Sequence, residues 1–191
     1  MTLSSDKQWE RFGRRCPSFG VYSDDRLREG RVDEKDLEDF FRSGEEWVST
    51  VFETIEAHLL RPFRPGSSLD FGCGVGRIVI PLSARSGEVY GVDVSPPMLE
   101  EARKNLLARS IGNVRLLESD DGLTRLGERK FDFVHSGRKF GDSMAQMNLY
   151  RPERLFGILS RIGVDGFHVR MTDHSGYHGI VLSFRKGDPA G

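Results

Sequence analysis

A short stretch, Ser67–Phe71, runs directly into three glycines at alternate positions, Gly72, Gly74 and Gly76, and then into Arg77. Glycines spaced this way let the backbone turn tightly and come close to a neighbour, so the segment reads as a strand whose carboxyl end opens a helix. A strand that enters a helix through such a turn is the first part of a strand–helix–strand unit. That unit builds parallel sheets covered by helices.

The following residues repeat the pattern. Short apolar runs at Ser67–Phe71, 88–92, Val114–Glu118 and 131–136 alternate with helical periodicity,. A short helix is expected over 77–85, where Pro81 forfeits one early hydrogen bond and Gly87 stops the chain,. Ser95-Pro96-Pro97 sets an N-cap with prolines in the first turn, and Met98, Leu99, Ala102, Leu106 and Leu107 carry the inner face of the next helix as far as Gly112,. Right-handed crossovers then place the four strands parallel, in spatial order 3-2-1-4. Beyond them the pattern predicts a helix over 152–162 and two strands, 167–172 and 180–185, joined by 173–179 as an antiparallel hairpin. The expected fold is α/β, with six strands in one sheet and the hairpin closing an edge.

Residues 1–32 carry Trp9, Phe12, Phe19 and Tyr22 among charges and glycines without a sustained period, which predicts a loop-rich arm packed through single aromatic anchors,. From Asp33 onward Leu37, Phe40, Phe41, Val48, Val51, Phe52, Ile55 and Leu59 recur at three- and four-residue steps, the mark of one helical face,. Ser43-Gly44-Glu45-Glu46 has capping-box spacing, so two helices are expected, over 34–42 and 44–60,. Arg61-Pro62-Phe63-Arg64-Pro65-Gly66 ends the second. The chain is expected to divide into an arm and helical cap over 1–66 and an α/β domain over 67–191.

Charge narrows the partners. The 191 residues hold 28 Lys+Arg against 29 Asp+Glu, a formal net charge of −1, so there is no global positive field to hold nucleic acid through counterion release,. No apolar run approaches the ~18 to 20 residues that cross a bilayer, and the opening residues lack a secretory apolar stretch; a cytoplasmic protein that binds neither nucleic acid nor membrane is expected,. Cys16 and Cys73 sit in unlike contexts and predict neither a disulfide framework nor a metal site,. His135, His168, His174 and His178 lack an H-E-x-x-H arrangement, and no metal is expected,.

The glycine turn departs from the dinucleotide fingerprint G-x-G-x-x-G: its third glycine falls one position early, and Arg77 stands where the last is needed,. That disfavours a nicotinamide-dependent oxidoreductase. Asp70, just before the turn, would repel a nucleotide phosphate but can face a ligand's ammonium,. Asp93, at the end of the second strand, can accept both hydroxyls of a ribose at the sheet's switch point,. A nucleoside that carries an amino acid satisfies both carboxylates.

The stretches DFGCGVGR, VYGVDVSPPMLEEARKN, LLESDDGL and FDFVHS resemble, in order and spacing over residues 67–136, the class I S-adenosylmethionine-dependent methyltransferases with their Rossmann-like fold. The resemblance implies S-adenosylmethionine as cofactor, with the acidic and glycine motif on Asp70, Gly72, Cys73, Gly74 and Gly76, and the ribose acid on Asp93. It places adenine contacts on Val94 and Met98 and on either Asp120 or Asp121, and puts His135 and Ser136 beside the methionine portion and the acceptor. FFRSGEEW resembles a helical cap of some members. Members of this class continue after strand four through two further helix–strand steps, whereas this chain has room for one before its hairpin. The missing unit ordinarily completes the acceptor side, so cofactor binding is expected to outlast turnover unless the loop over 137–149 and the arm rebuild the wall. Transfer from a sulfonium needs no universal catalytic residue; for an acceptor that must lose a proton, His135 is the candidate base, with Tyr22 more remote. The reading is methyl transfer to a small-molecule acceptor. The alternative is a non-catalytic S-adenosylmethionine-binding or scaffolding protein.

Overall fold

The computed structural model describes residues 5–21, 25–27, 32–118, 124–126, 129–136, 167–174 and 177–184. The helix expected over 152–162, the loop over 137–149, Asp120, Asp121 and Tyr22 lie outside the described residues. The chain divides into two compact units, Met1–Ala145 and Gln146–Gly191.

In the first unit, four parallel strands form one sheet: β1 (Ser67–Phe71), β2 (Glu88–Asp93), β3 (Val114–Glu118) and β4 (Phe133–His135), in the order β3-β2-β1-β4. This is the order that right-handed crossovers require. Strand alternation divides the side chains between two faces. Leu69 joins Tyr90, Val92 and Leu126 in a cluster with Phe71, Leu117 and Phe131. Val89 packs instead with Cys73, Val79, Leu82 and Leu99, against Val48 and Phe52 of the long N-terminal helix. β4 is shorter than the expected 131–136 because Asp132 is spent on closure: its amide donates to the Ser67 carbonyl, and its carboxylate accepts from the Ser67 amide.

The N-terminal region differs from its expected form in two respects. In place of a loop-rich arm there are two helices, α1 (Ser5–Arg15) and α2 (Pro17–Val21), followed by a single 3-10 turn at Asp25–Leu27. Their order comes from tertiary contact rather than from a periodic stripe. Phe12, Cys16, Phe19, Val21 and Leu27 pack into one cluster with Phe40, Phe41, Val75 and Met98. The second difference is that one helix, α3 (Glu34–Leu59), runs through residues 43–46 where two were expected. Its capping box sits at Asp33 and Asp36, and Ser43 Oγ donates to the Phe40 carbonyl at 2.7 Å within the helix. Gly44 is there for closeness: a Cβ built on it would lie 2.2 Å from the Arg77 carbonyl oxygen. The helix loses roughly 1 kcal/mol of intrinsic propensity at such a glycine, and the close approach to the sheet unit offsets it.

α4 (Val79–Ser83) is shorter than 77–85, and α5 (Pro96–Ala108) begins after Ser95 as the prolines direct. In the second unit, β5 (Phe167–His174) and β6 (Tyr177–Phe184) pair antiparallel, with register running to His174↔Tyr177. The single sheet of six strands is therefore corrected: the four parallel strands form one sheet and β5–β6 a two-stranded sheet of their own. Alternating composition marks a strand but not its partner, and a hairpin can satisfy one edge of each strand locally. The connection is also shorter than 173–179, because polar residues such as Asp173 and His178 stay in the ladder.

Candidate functional site

The carboxyl ends of β1 and β2 converge on the glycine turn. Gly72, Gly74 and Gly76 all have positive φ, at 80°, 52° and 96°. The turn is tied to β2 by its amides: Gly72 N–H and Cys73 N–H donate to the Val92 carbonyl at 2.9 and 3.0 Å. Asp93 completes the tie. Its Oδ2 accepts from the Gly74 amide and its Oδ1 from the Ser95 amide, each at 2.9 Å. One carboxylate thus holds the glycine turn and the start of α5 together.

Gly74 cannot be another residue here, because its φ lies in the left-handed region and a Cβ on it would stand 2.3 Å from Val21 Cγ2 at the end of α2,. The arm therefore sits directly on the turn. At Gly72, by contrast, no described atom lies within 4 Å of a built Cβ.

Asp70 is 2% exposed, and the parallel register sets it beside His135 of β4. Both side chains point to the face that α3 covers, where Asp70 Oδ1 lies 2.7 Å from His135 Nδ1. Trp47 of α3 donates its indole N–H to His135 Nε2 at 3.0 Å. An indole N–H can only donate, so Nε2 accepts, the ring proton is on Nδ1, and Nδ1–H donates to Asp70. With both ring nitrogens engaged, His135 has no lone pair open to take a proton from an acceptor. The candidate base thus stands between Trp47 and Asp70.

The other expected residues fall in different places. Cys73 is buried, and burial first, then the charges of Asp93 and Asp70, push its thiol well above the ordinary range, which makes it an inert filler,. Met98 is 2% exposed within the arm cluster; a Cβ on Gly20 would come 2.8 Å from its Cε. Its packing partner in this structure is the arm. Val94 is half-buried beside Asp93, and Ser136 is exposed just after β4. Reasoning on spacing missed Trp47 and Val21. The available signal for Trp47 was chemical: a tryptophan on a packed helix face needs a partner for its N–H.

Two carboxylates, Asp70 and Asp93, thus flank a backbone cradle. The donor set fits a ligand with hydroxyls and positive charge, as S-adenosylmethionine has at its ribose, ammonium and sulfonium.

Comparison with known proteins agrees with this geometry. The family described as "Methyltransferase domain" matches residues 69–151. Aklanonic acid methyltransferase DauC of Streptomyces sp. (strain C5) is 38% identical over 69 residues, covering 35% of this chain and 31% of that protein. Demethylmenaquinone methyltransferase of Geobacillus kaustophilus (strain HTA426) is 31% identical over 121 residues, covering 50% and 52%. The chain thus spans about a third to a half of the length of these relatives. Among solved structures, magnesium protoporphyrin IX methyltransferase (ChlM) from Synechocystis PCC 6803 with bound SAM has a TM-score of 0.57 at 22% identity, covering 96% of this chain and 98% of that one. With the 3-2-1-4 parallel sheet and the acidic glycine turn, the chain is similar over residues 69–151 to the class I S-adenosylmethionine-dependent methyltransferases. S-adenosylmethionine is the cofactor of that class.

Proposed function

We propose that this chain transfers the methyl group of S-adenosylmethionine to a small-molecule acceptor in the cytoplasm. The observation that carries the reading is the pair of carboxylates, Asp70 and Asp93, at the ends of adjacent strands on either side of a glycine turn. Asp93 accepts from the ribose hydroxyls and Asp70 faces the ammonium, while Gly72, Cys73, Gly74 and Gly76 present backbone. Val94 and Met98 flank the adenine, Asp120 or Asp121 accepts from its amino group, and Ser136 borders the methionine portion. Residues 1–66 serve as a cap on the domain over 67–191.

When bound, the cofactor supplies an electrophilic methyl on a sulfonium. The chain's own part is to bind, to orient and to exclude water, because in-line displacement with a neutral thioether leaving group asks for alignment more than for proton transfer. The engagement of both His135 nitrogens supports that division of labour. A small-molecule acceptor is supported by the net charge of −1 and by the names of the DauC and demethylmenaquinone relatives. Against it stand shorter matches to 23S rRNA (uracil(1939)-C(5))-methyltransferase RlmD, such as that of Alkalilimnicola ehrlichii, which is 38% identical over 52 residues. Calorimetric titration with S-adenosylmethionine, S-adenosylhomocysteine and NADH tests the cofactor. Transfer of labelled methyl to small-molecule, peptide and RNA acceptors tests the activity. Binding without transfer to any acceptor would favour a non-catalytic cofactor-binding protein.

A further inference from the structure

We infer that Trp47 of α3 is a positioning residue for the cofactor, acting through His135 on Asp70. The inference rests on the cofactor reading above. Its basis is a chain of two hydrogen bonds across three elements: Trp47 Nε1–H to His135 Nε2 at 3.0 Å, and His135 Nδ1–H to Asp70 Oδ1 at 2.7 Å. Asp70 and His135 are register partners on neighbouring strands, and both are nearly sealed from water, at 2% and 8% exposed. Only α3 supplies the indole.

The direction of the chain determines what it does. A neutral imidazole has two tautomers, and a buried one adopts the form that its partners permit. If His135 carried its proton on Nε2, two donors would face each other at Trp47, and a bare nitrogen would face the carboxylate at Asp70. Both contacts would be lost in a setting where an unmade hydrogen bond is costly. Asp70, which can only accept, and the indole, which can only donate, therefore require the same Nδ1–H tautomer, and the indole fixes the ring in the plane that serves both. That tautomer holds Asp70 Oδ1 by a neutral donor, which orients the carboxylate without cancelling its negative charge. The negative charge remains for the cofactor's ammonium. An arginine or lysine in place of His135 would orient Asp70 equally well but would neutralise it.

Trp47 also lies three residues from Gly44, where α3 comes against the backbone of Arg77 at the end of the glycine turn. The same helix thus sets the height of the indole above the strand ends and touches the turn directly. Cofactor affinity is coupled to α3 by one hydrogen bond.

The test compares two ligands on Trp47→Phe, which keeps an aromatic ring and removes the donor. S-adenosylmethionine has the amino acid portion that Asp70 faces; 5′-methylthioadenosine lacks it. Trp47→Phe is expected to weaken S-adenosylmethionine roughly 5-fold, the scale of one hydrogen bond, and to leave 5′-methylthioadenosine unchanged. Equal weakening of both ligands would mean a general structural role and would overturn the inference, as would no weakening of either. The second readout needs no ligand: long-range proton–nitrogen NMR of the His135 ring is expected to show the Nδ1–H tautomer in the unaltered chain and, in Trp47→Phe, the same tautomer with an Nε2 resonance shifted by loss of its hydrogen bond. An unchanged Nε2 resonance in the variant overturns the inference even if affinity falls. His135→Asn, whose side-chain amide can donate to Asp70 without an indole, is expected to remove the effect of Trp47→Phe on the ratio of the two affinities. Persistence of that effect in the Asn background would place Trp47 on another route. If the unaltered chain bound neither ligand, the cofactor reading itself would fail and the inference with it, a result distinct from unequal or equal losses in the variant.

Discussion

The turn over residues 72–76 is held by backbone, whereas helix α3 is held by what lies beneath it. In the turn, three amides donate to Val92 and Asp93, and all three glycines adopt positive φ, so side-chain packing has little to decide. In α3 the local residues argue for a break: Ser43 and Gly44 are poor helix formers with the spacing of a cap, yet the helix continues for 26 residues,. Gly44 meets Arg77, Trp47 meets His135, and Phe52 is wholly buried against the sheet. The first region is specified by conformations that few residues can adopt. The second is specified by surfaces that exist only after folding.

The largest effect should come from the point where the turn depends on a side chain. Asp93→Ala removes the acceptor for the Gly74 and Ser95 amides together with the proposed ribose acceptor. Cofactor affinity is expected to fall by about 2 to 3 kcal/mol, or roughly 30- to 150-fold by calorimetry. A folded variant with a change under about 3-fold would place the ribose elsewhere. Next is Gly74→Ala, which combines strain at φ 52° with a clash on Val21, and is expected to lose about 2 kcal/mol in urea unfolding,. Adding Val21→Ala should recover only the steric part. Full recovery would show that the arm, not the backbone, decides this position.

Gly44→Ala sharpens the contrast through its sign. Helix propensity alone predicts a gain of about 1 kcal/mol, whereas a Cβ 2.2 Å from the Arg77 carbonyl predicts a loss of about 1 to 3 kcal/mol,. A stabilised variant would mean that α3 can lift away from the turn at no cost. The smallest effects separate the two capping positions. Asp33→Ala should lose about 1 kcal/mol, while Ser43→Ala should stay within roughly 0.5 kcal/mol because its hydroxyl bonds a carbonyl inside the helix,. Reversal of that order in thermal unfolding would restore the two-helix reading.

The parts of the fold that were legible are those whose physics is local. Ser67–Phe71 and Val114–Glu118 are strands with the bounds that their apolar runs indicate, and Pro96-Pro97 starts α5 where missing amides cost nothing,. At the site, the closeness of Asp93 to the turn followed from its place at the end of β2. The tautomer of His135 did not follow from its place on β4: both nitrogens had to find partners 65 and 88 residues earlier in the chain before it could be assigned. The same holds for Met98, which reads as a ring contact by position and packs against Phe19 and the arm in the structure.

By itself, then, the sequence determined the order of strands and helices, the glycine turn and the acidic groups beside it, because conformational restriction and strand alternation act over a few residues. Only the tertiary structure decided that α3 runs unbroken, that α1 and α2 form and press Val21 onto Gly74, that the hairpin makes a sheet of its own, and that Trp47 meets the His135–Asp70 pair. Each of those outcomes depends on a buried surface or a donor supplied by a distant part of the chain. No local pattern encodes the identity of that partner.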